Sequence, residues 1–543
     1  MSFLIPVVNL KGEEIMCGFL VATSGEFELK VFNDALDKAK YRGPDHQHIS
    51  IKDGITWGFN RLSIMDLSSK GNQPFAYKNC ILVCNGEIYN YHDLKNMLQK
   101  EYTFKSGSDC EILIPLYDKY GIEILCKFLD AEFALVIYDC KRKKLIAARD
   151  PIGIRPMFYG YSKKDKQICF ASEAKSLIPL CENIMPFPPG HYYKDGKFVS
   201  YHDSSNPKTI NNDDLDTIAF NLQTKLESAV KKRFMSDAPI GYLLSGGLDS
   251  SLVCAIASKF SKKKIRTFAI GMDTDPIDLK YAKQVANFLN TEHTEVIITK
   301  KDLLDNLNDV IYHLETFDIT TIRASMAMYL LCKYIHQNTD IKVIMTGEVS
   351  DELFGYKYTD YAPSPLAFQK EAQKRIKELY MYDVLRADRC ISAHALEGRV
   401  PFADIDFVNY AMSIDPAKKM NIYNKGKYLL RHAFENKNYL PDNILFREKA
   451  AFSDAVGHSM VDYLKDYAES LYSDMDVAKA KEKYPVSTPF SKEALLYRDI
   501  FESFYPKQSK WIKGYWMPNK EWENCNVNDP SARVLKNYGD SGK

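Results

Sequence analysis

Ser245-Gly246-Gly247-Leu248-Asp249-Ser250-Ser251 decides how this chain is read. Ahead of it, Ile240, Tyr242, Leu243 and Leu244 make a short apolar run of the kind a buried parallel strand needs. Behind it, Leu252, Val253, Ile256, Ala257 and Phe260 recur at helical spacing, so the chain is expected to turn at the glycines and enter an amphipathic helix. Such a turn offers unpaired N–H groups and the positive end of the helix dipole to phosphate, and Ser245, Ser250 and Ser251 add hydroxyls. Asp249 beside polyphosphate makes sense as the holder of a cation, with Mg²⁺ expected because it prefers carboxylate and phosphate oxygens. No Gly-Lys-Ser/Thr follows, which excludes a Walker A loop. The plain alternative is an ordinary Gly-rich turn with Asp249 as a helix-start acid.

The chain's 543 residues are more than one core organises and imply at least two domains. Lys and Arg number 72 against 71 Asp and Glu, a balance that supplies no long-range field for nucleic acid or an anionic membrane. The 12 cysteines are scattered without a Cys-x-x-Cys pair, and Cys80 and Cys84, flanking Ile81, Leu82 and Val83, read as packed thiols and not as zinc ligands. No apolar run reaches the ~18–20 residues of a transmembrane helix. The opening residues have no basic leader and carry Glu13 and Glu14, so a cytoplasmic enzyme is expected.

In the first half, Phe19 to Ala22 and Ala131 to Tyr138 read as core strands. Five short segments read as loops or tight turns at the edge of a β-rich unit: Met16-Cys17-Gly18, Tyr41-Arg42-Gly43-Pro44-Asp45, Arg61-Leu62-Ser63-Ile64-Met65, Asn85-Gly86-Glu87 and Gly107-Ser108-Asp109. Taken singly each is weak; Asn85-Gly86 is first a hairpin signal and Arg61 first a surface cation. In this order they resemble the N-terminal-nucleophile glutaminase domain of class II amidotransferases. That resemblance implies Cys17 as nucleophile, with the Asn85 side chain and the Gly86 N–H as oxyanion hole. Arg61 would meet the carboxylate of glutamine and Asp109 its ammonium, with Leu62, Ser63, Ile64, Met65 and Glu87 lining the pocket. The chemistry fits, because a thiol on the first residue carries its base, the free α-amine, with it. Here residues 1–16 precede Cys17. Translation starting at Met16 is the favoured reading, over a cleaved leader or a silent glutaminase half.

Ser204 to Asp214 is polar and turn-rich, and the domain boundary is expected there. Beyond it, helical patterns alternate with short apolar strands at 240–244, 267–270 and 341–345, which implies a doubly wound α/β unit with its ligand beyond the strand C-termini. The Ser-Gly-Gly-x-Asp-Ser stretch resembles the pyrophosphate loop of the ATP-pyrophosphatase family. That likeness puts Leu244 and Ile270 on either side of adenine. It also puts Ser245, Gly246, Gly247, Ser250, Thr346 and Gly347 around the nucleotide, and Asp351 with Asp249 on Mg²⁺. It further implies Glu348 and Lys449 in catalysis, Glu348 on ammonia and Lys449 on the acyl-adenylate, and Thr321 and Arg323 as candidates for aspartate. Val349 stands where that family usually has glycine, so backbone strain or a slightly altered acid position is expected.

From Met16 to Arg533 the chain resembles the glutamine-hydrolysing asparagine synthetases. The implied fold class is α/β: an N-terminal β-rich N-terminal-nucleophile glutaminase sandwich over 17–205, then a doubly wound parallel α/β synthetase domain over 214–525. Residues 1–16 form a leader or a mis-assigned start, 526–543 a tail, and beyond Arg533 disorder is expected. The implied substrates are glutamine, aspartate and ATP with Mg²⁺, joined through a β-aspartyl-AMP and an internal ammonia passage, in a possible homodimer. An ammonia-dependent synthetase, a same-fold ligase for another carboxylate and a nucleotide-binding scaffold are the rival readings.

Overall fold

Among the described residues up to Ser200, twelve strands pair into two sheets. They are β1 (Gly18–Thr23), β2 (His46–Lys52), β3 (Ile55–Arg61), β4 (Phe75–Tyr77), β5 (Cys80–Ile88), β6 (Ala131–Asp139), β7 (Lys144–Arg149), β8 (Phe158–Ser162), β9 (Ile168–Ala171), β10 (Cys181–Pro186), β11 (His191–Lys194) and β12 (Lys197–Ser200). One sheet runs β10-β8-β9-β1-β3-β2 and the other β12-β11-β7-β6-β5-β4. This is a computed structural model of the chain, and it describes residues 17–23, 28–274, 276–448 and 456–539.

Period-two burial explains the sandwich. Ile81 and Val83 of β5 meet Phe19, Val21, Trp57 and Phe59 of the opposite sheet, while Cys80, Leu82, Cys84 and Ile88 on the other face pack outward with residues of a helix. The helices α1 (Leu29–Asp37) and α4 (Ala174–Leu177) lie on the first sheet, and α3 (Leu113–Phe128), which follows α2 (Tyr91–Leu98), lies on the second. Asn85-Gly86 is not a turn, against the hairpin expectation. Asn85, Gly86 and Glu87 sit inside β5 opposite Ala134, Phe133 and Glu132 of β6, because pairing along the whole of β6 holds the strand extended.

The second half is organised by five parallel strands, β13 (Ile240–Leu243), β14 (Arg266–Met272), β15 (Glu292–Ile298), β16 (Val343–Met345) and β17 (Glu397–Arg399), in the order β15-β14-β13-β16-β17. The chain winds outward one way from β13 and returns on its other side with β16, so a crevice opens between them at the strand C-termini. Helices α5 (Leu215–Lys232) and α6 (Leu248–Phe260) belong to this unit, and α6 starts where the opening heptapeptide predicts. Among the described residues no helix is long and apolar enough to cross a membrane.

The tail is ordered further than expected. Leu535 is buried with Trp522, Cys525 and Tyr358, and the Asn537 side chain donates to the Lys357 carbonyl at 2.7 Å. Apolar residues two to five positions past Arg533 find a surface that the local sequence does not advertise.

Candidate functional sites

At the head of β1, the Cys17 thiol donates to the Leu62 carbonyl at 3.4 Å and accepts from the Leu62 N–H at 3.3 Å. Arg42, fully buried, donates through Nε to the Cys17 carbonyl at 3.1 Å, and its Nη atoms reach Glu173 and Asp388 at 2.7–3.0 Å. Burial pushes the Cys17 thiol up to about 12. At neutral pH it is un-ionised and needs a dedicated base.

The oxyanion candidates sit on β5. Its partner β4 ends opposite Leu82, so beyond that residue one edge of β5 has no strand beside it. Gly86 turns its carbonyl to this open edge, where the Cys110 thiol donates to it at 3.4 Å. In an antiparallel strand the N–H of a residue points the same way as its carbonyl, so the Gly86 N–H faces the open edge too. A Cβ on Gly86 would stand 2.6 Å from the Glu132 carbonyl, which is why the position takes glycine. The Asn85 side-chain amide is buried and has no hydrogen-bond partner among the described residues. Asp109 accepts from the Ile88 N–H at 2.7 Å, and burial raises its carboxyl to about 6. Residues 62–65 form the wall beside Cys17: Ser63 N–H donates to Asp45 at 2.7 Å and the Ile64 carbonyl accepts from Asp237 N–H at 3.1 Å, with Leu62, Ile64 and Met65 packed on Ala238 and Val343.

Two glutamine-pocket residues differ from the sequence expectation. Arg61 is engaged by its own loop: Nη1 donates to the Ser68 carbonyl and to Asn72, both at 2.7 Å, and Nη2 to the Asp66 carbonyl. Glu87 reaches across to β17, where Arg399 Nη2 lies 3.1 Å from its carboxylate. Burial pushes the Glu87 carboxyl well up.

The second site is a cleft of about 230 Å³ at the β13–β16 crevice. Leu244, Ser245, Gly247, Asp249, Ser250, Ile270, Thr346, Gly347, Glu348, Asp351 and Thr321 all line it. Gly246 has φ +72°, and a Cβ there would meet the Ala282 backbone at 2.5 Å. The Ser245 and Ser250 hydroxyls lie 2.9 Å apart, and Ser245 N–H donates to Ser250 Oγ at 3.1 Å, which folds the loop over the start of α6. A Cβ on Gly347 would stand 2.7 Å from Ser250 N, so the loop after β16 rests directly on the loop after β13. Val349 takes φ +82°, a left-handed conformation that a β-branched residue adopts at a cost of about 1–3 kcal/mol. The turn places Asp351 in the first turn of the helix Ser350–Phe354, facing Asp249. The Thr346 hydroxyl is buried with no hydrogen-bond partner among the described residues.

Lys427, a residue the sequence reading missed, joins the two acids. Its Nζ lies 2.8 and 2.9 Å from the Asp249 oxygens and 2.6 Å from Asp351 Oδ1. It stands 178 positions from Asp249, and an isolated lysine carries no local signal. Arg386 holds Glu348 through two bonds of 3.2 and 2.6 Å and also donates to Asp383 at 2.8 Å. Trp516, with Ser531 and Ala532 from the tail, completes the wall.

Arg323 does not line this cleft. It is buried against Glu493, with Nε donating at 2.8 Å, and Asp529, with Nη1 donating at 2.9 Å; two carboxylates already neutralise it. Thr321 borders the cleft, but its hydroxyl donates to Asp318 at 2.8 Å as part of a helix cap. Arg389 is likewise bound to Glu173 and to Glu315. Lys449 lies outside the described residues, as do 1–16.

Comparison with known proteins covers both halves. Residues 16–193 match the glutamine amidotransferase domain, and residues 221–365 and 359–528 match the asparagine synthase family. The chain is 41% identical over 569 residues to asparagine synthetase [glutamine-hydrolyzing] of Cricetulus griseus, covering 97% of this chain and 100% of the relative. The Mus musculus protein of the same name gives the same figures. A probable asparagine synthetase [glutamine-hydrolyzing] of Schizosaccharomyces pombe is 41% identical over 555 residues, covering 95% and 98%.

Proposed function

The chain belongs to the glutamine-hydrolysing asparagine synthetases, ATP-using carbon–nitrogen ligases that make asparagine with nitrogen from glutamine, and from that premise we propose how its own residues divide the work. Residues 17–205 release ammonia from glutamine and 214–525 activate aspartate, with the boundary in the polar stretch between.

In the first domain Cys17 attacks the side-chain amide of glutamine. A thiol pushed up to about 12 needs its proton taken, and the α-amine of Cys17 itself does this once nothing precedes it. The Gly86 N–H at the open edge of β5 and the unpartnered Asn85 amide receive the oxyanion, each worth roughly 2.7–4 kcal/mol in the transition state. Asp109, ionised above about pH 6, pairs with the glutamine ammonium. Arg61 binds the carboxylate by exchanging it for its loop carbonyls.

Ammonia leaves along apolar surface. Leu62, Ile64, Ala238, Val343 and Ala395 cluster between Cys17 and the foot of the parallel sheet, and an apolar lining disfavours the ammonium form that could not react. In the cleft, the loop 245–250 holds the phosphates, while Leu244, Ile270 and Thr346 receive the base. Asp249 and Asp351 converge on one cation position with hard oxygen donors, a set that fits Mg²⁺. Asp249 and Asp351 would hold the Mg²⁺, which would supply neutralisation of phosphate charge for adenylation of the aspartate carboxylate. Glu348, held by Arg386, positions the incoming ammonia, and Lys449 is our candidate for the developing charge on the adenylate. With 12 free cysteines, the chain suits the reducing cytoplasm.

The observation that carries this reading is the convergence of Asp249 and Asp351 at the crevice between β13 and β16. Intact mass of protein made from its own gene, followed by AMP release with glutamine or with ammonia, tests it. Working protein starting at Cys17, with glutamine supporting synthesis, is the expected result. Persistence of residues 1–16 together with activity on ammonia alone would remove the glutaminase assignment.

A further inference from the structure

Lys427 occupies an unusual place. Its side chain is 2% exposed although it lines an open cleft, and its ammonium has the two Asp249 oxygens, Asp351 Oδ1 and, at 3.0 Å, Ser350 Oγ around it. Ser350 Oγ in turn donates to Asp249 Oδ1 at 2.8 Å. The ammonium donates to both Asp249 oxygens and to Ser350 Oγ and pairs with the Asp351 charge, so groups from two different loops surround it. The backbone is arranged for this. Lys427 has φ +57°, left-handed for a residue with a side chain, immediately before the helix Tyr428–Phe434. Arg431 donates to the Gly426 carbonyl at 2.7 Å and fixes the approach.

We infer that Lys427 is the resident cation of the Asp249–Asp351 pair, so that a divalent metal enters this position only by displacing its ammonium into the cleft. The inference rests on the metal-site reading above. The reason is charge and geometry. Two carboxylates facing each other from adjacent helix starts repel, and a single positive charge between them removes that repulsion when no metal is present. The same oxygens are what Mg²⁺ would need, at 2.0–2.1 Å instead of the 2.6–2.9 Å that an ammonium takes, so the two cations cannot share the position. Without nucleotide, the lysine outcompetes the metal because it is tethered. Phosphate oxygens would tip the balance by supplying further ligands to the metal and a new counter-charge to the displaced ammonium.

The test is Mn²⁺ binding to the full-length, nucleotide-free protein, read from the loss of the free-ion paramagnetic resonance signal. Lys427→Met is expected to bind Mn²⁺ at least tenfold tighter than wild type, Lys427→Arg no tighter, and the double variant K427M/D351N not at all. The thermal midpoint of K427M should be lower than wild type without metal and recover on adding Mn²⁺. If K427M binds no tighter than wild type while Asp351→Asn still abolishes the binding that remains, the exchange is wrong and the metal site stands. If Mn²⁺ binding ignores Asp351, the metal site is wrong and the exchange goes with it. Should K427M fail to fold, wild type provides the reading: reductive methylation of Lys427, followed by peptide mass spectrometry, should speed up with Mn²⁺, and an unchanged rate at saturating metal overturns the inference.

Discussion

The two reaction sites of this protein are built on opposite plans. Around Cys17 the groups are mostly backbone: a strand edge, a glycine N–H, the Leu62 amide and carbonyl, all fixed by the sandwich. Around Asp249 they are side-chain charges, and three of the carboxylates there are already engaged, Asp249 and Asp351 by Lys427 and Glu348 by Arg386. A backbone site is ready before its substrate arrives, whereas a site of paired charges must exchange partners to work. The contrast suits the chemistry. Hydrolysing an amide calls for one fixed oxyanion hole, while adenylation moves a highly charged nucleotide in and pyrophosphate out.

The sharpest way to separate the two plans is Cys17→Ala. Glutamine-dependent asparagine formation should fall on the order of 10⁴-fold or more, with ammonia-dependent formation unchanged, in paired steady-state assays. A parallel loss of both would mean that the sites are not separable. Next come the two glycines that allow close backbone approach. Gly86→Ala places a methyl 2.6 Å from the Glu132 carbonyl and should cost glutaminase activity on the order of 10²-fold, leaving ATP–pyrophosphate exchange intact. Gly347→Ala places one 2.7 Å from Ser250 N, pushes the two loops of the cleft apart, and should do the reverse by a similar factor.

Arg323→Met asks whether that arginine belongs to the cleft. Leaving Glu493 buried without its partner should lower stability by about 3 kcal/mol in denaturant melts, with little change in KM for aspartate. A selective rise in KM without a stability loss would return Arg323 to the site. The smallest expected effect is in pH. The Asp109 carboxyl lies at about 6 in the folded chain against an ordinary 3.8, so the folded state holds this proton more tightly than the unfolded state. Its contribution to stability is therefore lost as pH rises from about 4 through about 6, and Asp109→Asn should raise the melting temperature of ligand-free protein above pH 6. Over the same range kcat/KM for glutamine should rise in wild type with the ionised carboxylate, and the variant should be flat.

How far the sequence reaches is visible in particular residues. The heptapeptide 245–251 announced its own turn, strand and helix, because glycine spacing and apolar period are local properties. Val349 was legible only against the glycine that the resembled family has there, and the structure gives it a positive φ of +82°. Asn85-Gly86 misled, since a dipeptide with hairpin propensity was held extended by nine consecutive pairs with β6. Arg323 and Arg389 show a different limit. An arginine in sequence is a cation looking for an anion, and nothing local tells whether a substrate or a distant Glu493 or Glu173 supplies it.

The sequence by itself determined the two-part α/β architecture and the glycine turn between strand and helix at 245–251, both of which depend on local period and spacing. Only the tertiary structure decided that Lys427 sits between those acids, that Glu87 meets Arg399 across the two halves, and that the tail closes the cleft with Ser531 and Ala532. Those are pairings of charges and surfaces far apart in the chain, fixed by packing of whole layers and not by any period or propensity of the chain.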